Sequence, residues 1–332
     1  MRNSTCVSRR ALGLLASAFI FAAAAAPVTA QTYPTKSITM IVPFAAGGPT
    51  DTVARVLAQA LGKNLGQAVI VENLGGAGGT LAAARAAKAV PDGYTIFINH
   101  IGQATAPALY RKLPYDPIAD FAPIGLATDA PMVMVAKPGF PPNTLAELID
   151  YVKKNKDKVS MGHAGIGAAS HLCELLFMSA IDAELTMVAY RGTAPAMTDL
   201  MGGQIELICD QATAAYSNIK AGKVKAYTVT TPARMASLPD VATTVEAGLP
   251  GLQVSIWHGL YAPKGTPQPV IDRLVTALQA AVEDPTLKER FADLATDTVS
   301  KAQARPEALA ALLKSETEKW GPIIKKAGVQ PE

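Results

Sequence analysis

Twice in this chain a short β-forming run breaks on a glycine turn and restarts at once as a helix. This arrangement limits the available folds more than any other feature. The first instance passes from Ser37-Ile38-Thr39-Met40-Ile41-Val42 through Pro43-Phe44-Ala45-Ala46-Gly47-Gly48-Pro49-Thr50-Asp51 into Val53, Val56, Leu57, Ala60 and Leu61, spaced as one helical face. The second passes from Val159–Gly162 through His163-Ala164-Gly165-Ile166-Gly167-Ala168-Ala169-Ser170 into a helix over 170–180. Strand–turn–helix units of this kind build a mostly parallel sheet with helices on both faces.

The same alternation continues along the chain. Strands are expected at 68–72, 94–99, 132–136, 184–190, 205–209, 225–230 and 257–262. Helices are expected at 81–89, 144–154, 195–201, up to Gly222, and at 268–283, 286–294 and 306–327. Thr144-Leu145-Ala146-Glu147 is a capping box at the start of one of them. The proline-studded stretch 107–123 is read as irregular. With 332 residues, 49% of them hydrophobic, the chain exceeds one ordinary core. The last segment offers one strand and three helices, too little for a lobe of its own, so it is expected to return and complete the first lobe. The fold class is therefore α/β, two doubly wound lobes in a clamshell with two hinge crossings, near 130 and 255. Lobe 1 is 31–130 plus 256–332 and lobe 2 is 131–255.

Residues 1–30 read as a signal peptide. Arg2, Arg9 and Arg10 precede the uncharged run Ala11–Ala26, and Val28-Thr29-Ala30 presents small residues for cleavage after Ala30. The run is short for a membrane span. Ser8-Arg9-Arg10 hints at a twin-arginine signal, but Ala11 and Gly13 fit that motif poorly, so Sec export is preferred. The expected location is periplasmic. Loss of three arginines leaves 27 basic against 27 acidic residues, and no basic cluster marks a nucleic-acid surface. Cys6 leaves with the signal. Cys173 and Cys209 are able to pair in an oxidising compartment, but both lie in apolar segments and are expected as buried thiols.

No nucleophile elbow, zinc-protease motif or phosphate loop is present, and the spacing of His100, His163, His171 and His258 matches no metal site. Gly165-Ile166-Gly167-Ala168-Ala169-Ser170 departs from a dinucleotide fingerprint at Ser170. An enzyme, a cofactor and a metal are therefore not expected. Binding fits better. Each glycine turn opens a helix, so backbone N–H groups and a positive helix end face the same space. Two such turns, one per lobe, suit an anion gripped from both sides without lysine or arginine.

The motifs Pro43–Asp51, Glu72-Asn73-Leu74-Gly75-Gly76-Ala77-Gly78-Gly79, Pro91-Asp92-Gly93-Tyr94-Thr95, Tyr115-Asp116-Pro117, Tyr190-Arg191-Gly192-Thr193-Ala194-Pro195-Ala196, Leu238-Pro239-Asp240 to Glu246-Ala247-Gly248 and Trp257-His258-Gly259-Leu260-Tyr261-Ala262-Pro263-Lys264-Gly265-Thr266-Pro267 occur in order over nearly the whole chain after the signal. Together they resemble the extracytoplasmic solute receptors of tripartite tricarboxylate transporters, the Bug family. The resemblance implies a type II periplasmic-binding-protein clamshell. It would hold a small carboxylate (a di- or tricarboxylate, an aromatic carboxylate or an acidic amino acid) and deliver it to membrane permease subunits.

The facing loops implied are Phe44, Ala45, Ala46, Gly47, Gly48, Thr50 and Asp51, and Ala164, Gly165, Gly167, Ala168, Ser170 and His171. Distal selectivity is implied for His100, Gln103, Arg191, Gly192 and Asp210. Ala45-Ala46 and Gly165–Ala169 depart from the proline-containing forms common in the family, which leaves backbone capture intact because amides do not depend on side chains. Asp210 is placed either at a ligand amine or hydroxyl or as a structural cap, and Arg191 either at a distal carboxylate or in a surface ion pair. A periplasmic sensor with a sensor-kinase partner is the alternative function and a secreted hydrolase a remote one. A monomer is expected.

Overall fold

The computed structural model describes residues 33–326 together with 329 and 331. The signal-peptide segment and its cleavage point lie outside the described residues. The elements follow in the order β1 (Ile38–Val42), α1 (Pro49–Leu65), β2 (Val69–Asn73), α2 (Thr80–Ala87), β3 (Thr95–Asn99), α3 (Gly102–Leu109), β4 (Phe121–Ala136), α4 (Leu145–Lys154), β5 (Ser160–His163), α5 (Ala169–Ile181), β6 (Thr186–Ala189) and α6 (Thr193–Met201). They continue with β7 (Leu207–Gln211), α7 (Ala212–Lys220), β8 (Lys225–Val229), β9 (Ser255–Pro263), α8 (Gln268–Glu283), α9 (Pro285–Asp293), β10 (Asp297–Thr298) and α10 (Pro306–Lys326).

Two parallel triplets, β2-β1-β3 and β7-β5-β6, are the βα units expected from the sequence. Between them run β9 and β4, so the sheet order is β2-β1-β3-β9-β4-β7-β5-β6. The sheet is mixed rather than mostly parallel, because β9 is antiparallel to β3 and β4 is antiparallel to β7, β8 and β9. These two strands travel between the two groups, and a strand that returns from the far lobe enters the sheet in the opposite sense. β4 pairs β9 through Phe121–Pro131 and then pairs β7 and β8 through Met132–Ala136. The molecule is thus a two-lobed α/β fold in which β9 pairs β3.

Each lobe is closed by helices whose apolar stripe meets the sheet. In α1, Val53, Ala54, Leu57, Ala58, Leu61 and Leu65 are buried, and Gly66 ends the helix in the left-handed conformation. In α4, Thr144 accepts from the Glu147 amide at 3.2 Å, while Glu147 accepts from the Asn143 amide at 2.7 Å. That geometry agrees with the capping box. The second lobe keeps a smaller core of its own, in which Val133, Val135, Leu200, Ile208 and Val229 meet.

Cys173 and Cys209 are joined as a disulfide, with Cα atoms 6.1 Å apart. This corrects the expectation of free thiols. Both residues are fully buried, but α5 packs directly on β7, which brings the two Cα atoms within bridging range.

Candidate functional site

Both glycine turns leave the carboxyl end of a strand and enter the first turn of a helix: β1 into α1, and β5 into α5. The opening amides of such helices have no intrahelical acceptor and lie at the positive end of the helix dipole. The two turns meet. Phe44, Pro49, Thr50 and His100 from the first lobe, and Ala164, Ala168, Ala169, Ser170, Thr193, Asp210 and Gln211 from the second, line a tight cavity of about 10 Å³. Neither lysine nor arginine lines it.

The lobes touch along this seam. The Ala45 amide donates to the Arg191 carbonyl at 3.0 Å, the Tyr110 hydroxyl to the Ile166 carbonyl at 2.9 Å and the Thr105 hydroxyl to the Gly167 carbonyl at 3.2 Å. The site is therefore seen closed. A second cleft on the same seam runs between Gly75–Gly78 and Tyr110 on one side and Gly165, Ile166 and Arg191 on the other.

The first turn is held by charge. Asp51, buried at the start of α1, accepts from the Gly47 amide at 2.8 Å, from Arg55 Nε at 2.9 Å and from Asn73 Nδ2 at 2.9 Å. Burial opposes its charge, but Arg55, the Gly47 amide and Asn73 together outweigh burial and hold its carboxyl below the usual range. The second turn is held without charge. Ala164 donates its amide to Ser170 Oγ at 2.9 Å, Gly165 to His163 Nδ1 at 3.2 Å and Gly167 to His171 Nδ1 at 3.3 Å. Across the cavity the Gly102 amide donates to His100 Nδ1 at 3.0 Å.

An imidazole that accepts at Nδ1 carries its proton on Nε2 and is neutral. Burial enforces this state, pushing His100 and His171 down to about 3 and lowering His163 as well. These rings work as caps for turn amides. His100 also stacks on Phe44, with ring centroids 4.9 Å apart. The Thr50 hydroxyl shares a hydrogen bond with His258 Nε2 at 3.2 Å.

Of the residues singled out in the sequence, Phe44, Thr50, His100, Ala164, Ala168, Ser170 and Asp210 line the cavity. Ala45, Ala46, Gly47, Gly48, Gly165, Gly167 and Gly192 form the turns around it without lining it, and Asp51 and His171 brace those turns from behind. Gln103 is buried in internal bonds with Asn99 and the Pro117 carbonyl. Arg191 is exposed on the second cleft, where its carbonyl engages Ala45.

Pro49 and Ala169, which fall inside the two implied loops, also line the cavity, as do Thr193 and Gln211, which were not singled out. Pro49 and Ala169 are the first residues of α1 and α5. Thr193 opens α6 directly after β6, and Gln211 closes β7 beside Asp210. Ligands of doubly wound sheets sit at carboxyl ends of strands, so that rule, applied to every strand and not only to the glycine-rich ones, was the available signal.

Asp210 differs from every other polar group here. It is 1% exposed, and its Oδ1 accepts from the Gln211 amide at 2.8 Å. Its Oδ2 has no hydrogen-bond partner, and neither do Thr193 Oγ1 and Gln211 Oε1. Burial pushes its carboxyl up to about 7, against the Gln211 amide and the adjacent Thr193 hydroxyl, which pull it down. That hydroxyl stands close but short of hydrogen-bond geometry.

Comparison with known proteins agrees with this geometry. The model of the tripartite tricarboxylate transporter family receptor matches residues 53–329. A protein encoded in the TAR-I ttuE-ttuC' intergenic region of Agrobacterium vitis is 50% identical over 90% of this chain and 86% of its own. The structure of the periplasmic binding protein BugD is 50% identical, with a TM-score of 0.89 over 90% of this chain and all of that one. MatC of Rhodopseudomonas palustris, solved with bound malate, is 41% identical, with a TM-score of 0.85 over 88% of this chain and all of that one.

Proposed function

Because the chain belongs to the tripartite tricarboxylate transporter receptor family, we propose that it captures a small carboxylate between its two lobes and delivers it to the membrane subunits of a transporter of that type. A solute-binding receptor is what the family and its structural relatives are, and those relatives are periplasmic binding proteins, a non-enzymatic family. Among the described residues no helix is long and apolar enough to cross a membrane.

One observation carries the ligand class. The two helix-opening turns face each other across a narrow cavity with no cationic side chain in its wall. Amide donors and helix dipoles favour an anion there, and a carboxylate matches pairs of N–H groups. Bound malate in MatC supports the same class. The change of partners in β4 at Pro131/Met132, and the start of β9 at Ser255 opposite Pro131, support lobes of 31–130 plus 256–332 and of 131–255 that open about those crossings. A ligand that touches both turns shifts the receptor toward the closed form by its differential affinity.

The test is a thermal-shift screen of the purified receptor with mono-, di- and tricarboxylates and acidic amino acids, followed by calorimetry and by analysis of the recovered ligand. A dicarboxylate is expected to raise the melting temperature and to be recovered unchanged. No shift with any carboxylate would remove the ligand class, and chemical conversion would restore the enzyme reading.

A further inference from the structure

The closed cavity contains an acid but no lysine or arginine to neutralise it. We propose that Asp210 stands in this cavity as a neutral carboxylic acid and donates through Oδ2 to one carboxylate oxygen of a dicarboxylate ligand, so that each anion is taken up with one proton. The proposal rests on the functional reading above and specifies how the site tolerates its own acid.

The geometry argues for it in three steps. Asp210 Oδ1 is already engaged by the Gln211 amide, so Oδ2 is the free end. Around it, Gln211 Oε1 is an acceptor and Thr193 Oγ1 accepts as readily as it donates; both are unpartnered and on the same wall. A proton on Oδ2 adds a donor that can reach Gln211 Oε1, Thr193 Oγ1 or a ligand oxygen, where an ionised Oδ2 offers none. An ionised Asp210, itself 1% exposed, would instead set a second negative charge beside the ligand where little solvent screens it, and like charges there repel. The raised affinity of Asp210 for its proton, caused by burial, places that protonation within reach of neutral pH.

Other titratable groups pack around Asp210. Across the cavity lies His100, with His258 behind Thr50 and the Asp51–Arg55 pair on α1. On its own lobe β5 ends in His163, α5 carries His171 and Glu174, α6 carries Asp199 (bonded to Tyr190), and α7 carries Tyr216 and Lys220. The strand pairs of β4 beside Asp210 carry no charge. All four histidines are held below their ordinary value by burial, and Glu174 is pushed up to about 9. Burial raises Asp210 to about 7, inside the window between pH 6 and 8. The proton comes from bulk water on closure and returns to it on release; only the O–H bond of Asp210 is made and broken.

The experiment is calorimetry of the purified receptor at pH 6, 7 and 8 with succinate, malate, tartrate and aspartate as probes, in buffers of different ionisation enthalpy. The Kd of the tightest dicarboxylate is expected to rise about tenfold from pH 6 to pH 8, with close to one proton taken up at pH 8. Asp210→Asn, which keeps a donor and loses the titration, is expected to abolish the pH dependence, with a Kd that is the same at pH 6 and pH 8. A parent Kd that is flat or falls with pH overturns the proposal while leaving carboxylate capture intact. Preference for aspartate, with binding abolished in Asp210→Asn, overturns it in favour of an ionised Asp210 that holds an ammonium. Failure of all four probes to bind overturns this proposal, whereas the functional reading falls only if the wider carboxylate screen fails as well. The parent's pH series stands alone if the variant does not fold.

Discussion

The two turns share a shape but are wired differently. At the first, a buried acid is matched by an arginine, an amide and an asparagine, so charge fixes the loop. At the second, a serine and two neutral imidazoles hold the amides, and the nearby acids are left without a cation: Asp210 in the cavity wall and Glu174 in α5, whose two carboxylate oxygens have no partner. A binding site for an anion benefits from this asymmetry. One jaw is fixed independently of the ligand, and the other carries acids whose hold on a proton is raised by burial. The pairing of Cys173 with Cys209 ties α5 to the strand that bears Asp210, so the uncharged jaw gains a covalent brace where it lacks ionic ones.

The largest expected effect comes from blocking the meeting of the jaws. Gly78 faces the second turn so closely that a Cβ there would lie 1.8 Å from the Ile166 carbonyl oxygen, and its φ of +59° already disfavours other residues. Gly78→Ala is expected to keep the lobes apart, weaken the tightest carboxylate by at least about 100-fold and increase the radius of gyration measured with ligand present. The melting temperature of the ligand-free protein should move little. Unchanged affinity would mean that the second lobe approaches by a different path.

The next test sets the two acids against each other through the pH dependence of stability. Asp51 has a lowered pKa in the fold, so its stabilisation is present above about pH 4 and is lost as pH falls through its folded value. Asp51→Ala should cost about 2 kcal/mol at pH 7 by removing the acceptor of the Gly47 amide and of Arg55 Nε, while Asn73 keeps its bond to the Phe44 carbonyl. Glu174 has the opposite sign. Its folded pKa is pushed up to about 9 by burial, so stability falls as pH rises from about 4.5 toward 9, by at most about 1.4 kcal/mol per pH unit. Glu174→Gln should flatten that slope in urea melts between pH 6 and 8. A Glu174→Gln curve with the same slope as the parent's would show that Glu174 does not change its protonation on folding.

Much of this wiring could be read from residue types, and the reasons for the exceptions are physical. The turns were legible because glycine before a helical stripe has few other uses. The first half of β4 was not, because Pro123, Gly125 and Pro131 break its pattern, and its register shifts at Pro123/Gly125 and Leu126/Thr128. Pro107 likewise concealed α3. Thr193 and Gln211 went unnoticed because their segments carry no doubled glycine, although each stands where a strand gives way to a helix. The disulfide depended on which helix lies on which strand, a tertiary fact that spacing alone does not encode.

The smallest effect is expected at Arg191, and it sharpens the contrast between cation-held and amide-held anions. A guanidinium after a strand invites a bidentate pair with a distal carboxylate. Here the side chain is exposed on the second cleft, outside the wall of the narrow cavity, while the backbone carbonyl performs the interlobe contact with Ala45. Backbone contacts survive side-chain truncation. Arg191→Ala should therefore change the Kd of mono- and dicarboxylates alike by less than about twofold, and any loss should vanish as salt is raised, as expected for a long-range field and not a contact. A selective loss of dicarboxylate binding that persists at 0.5 M salt would place the guanidinium on the ligand and return the site to a cation-held design.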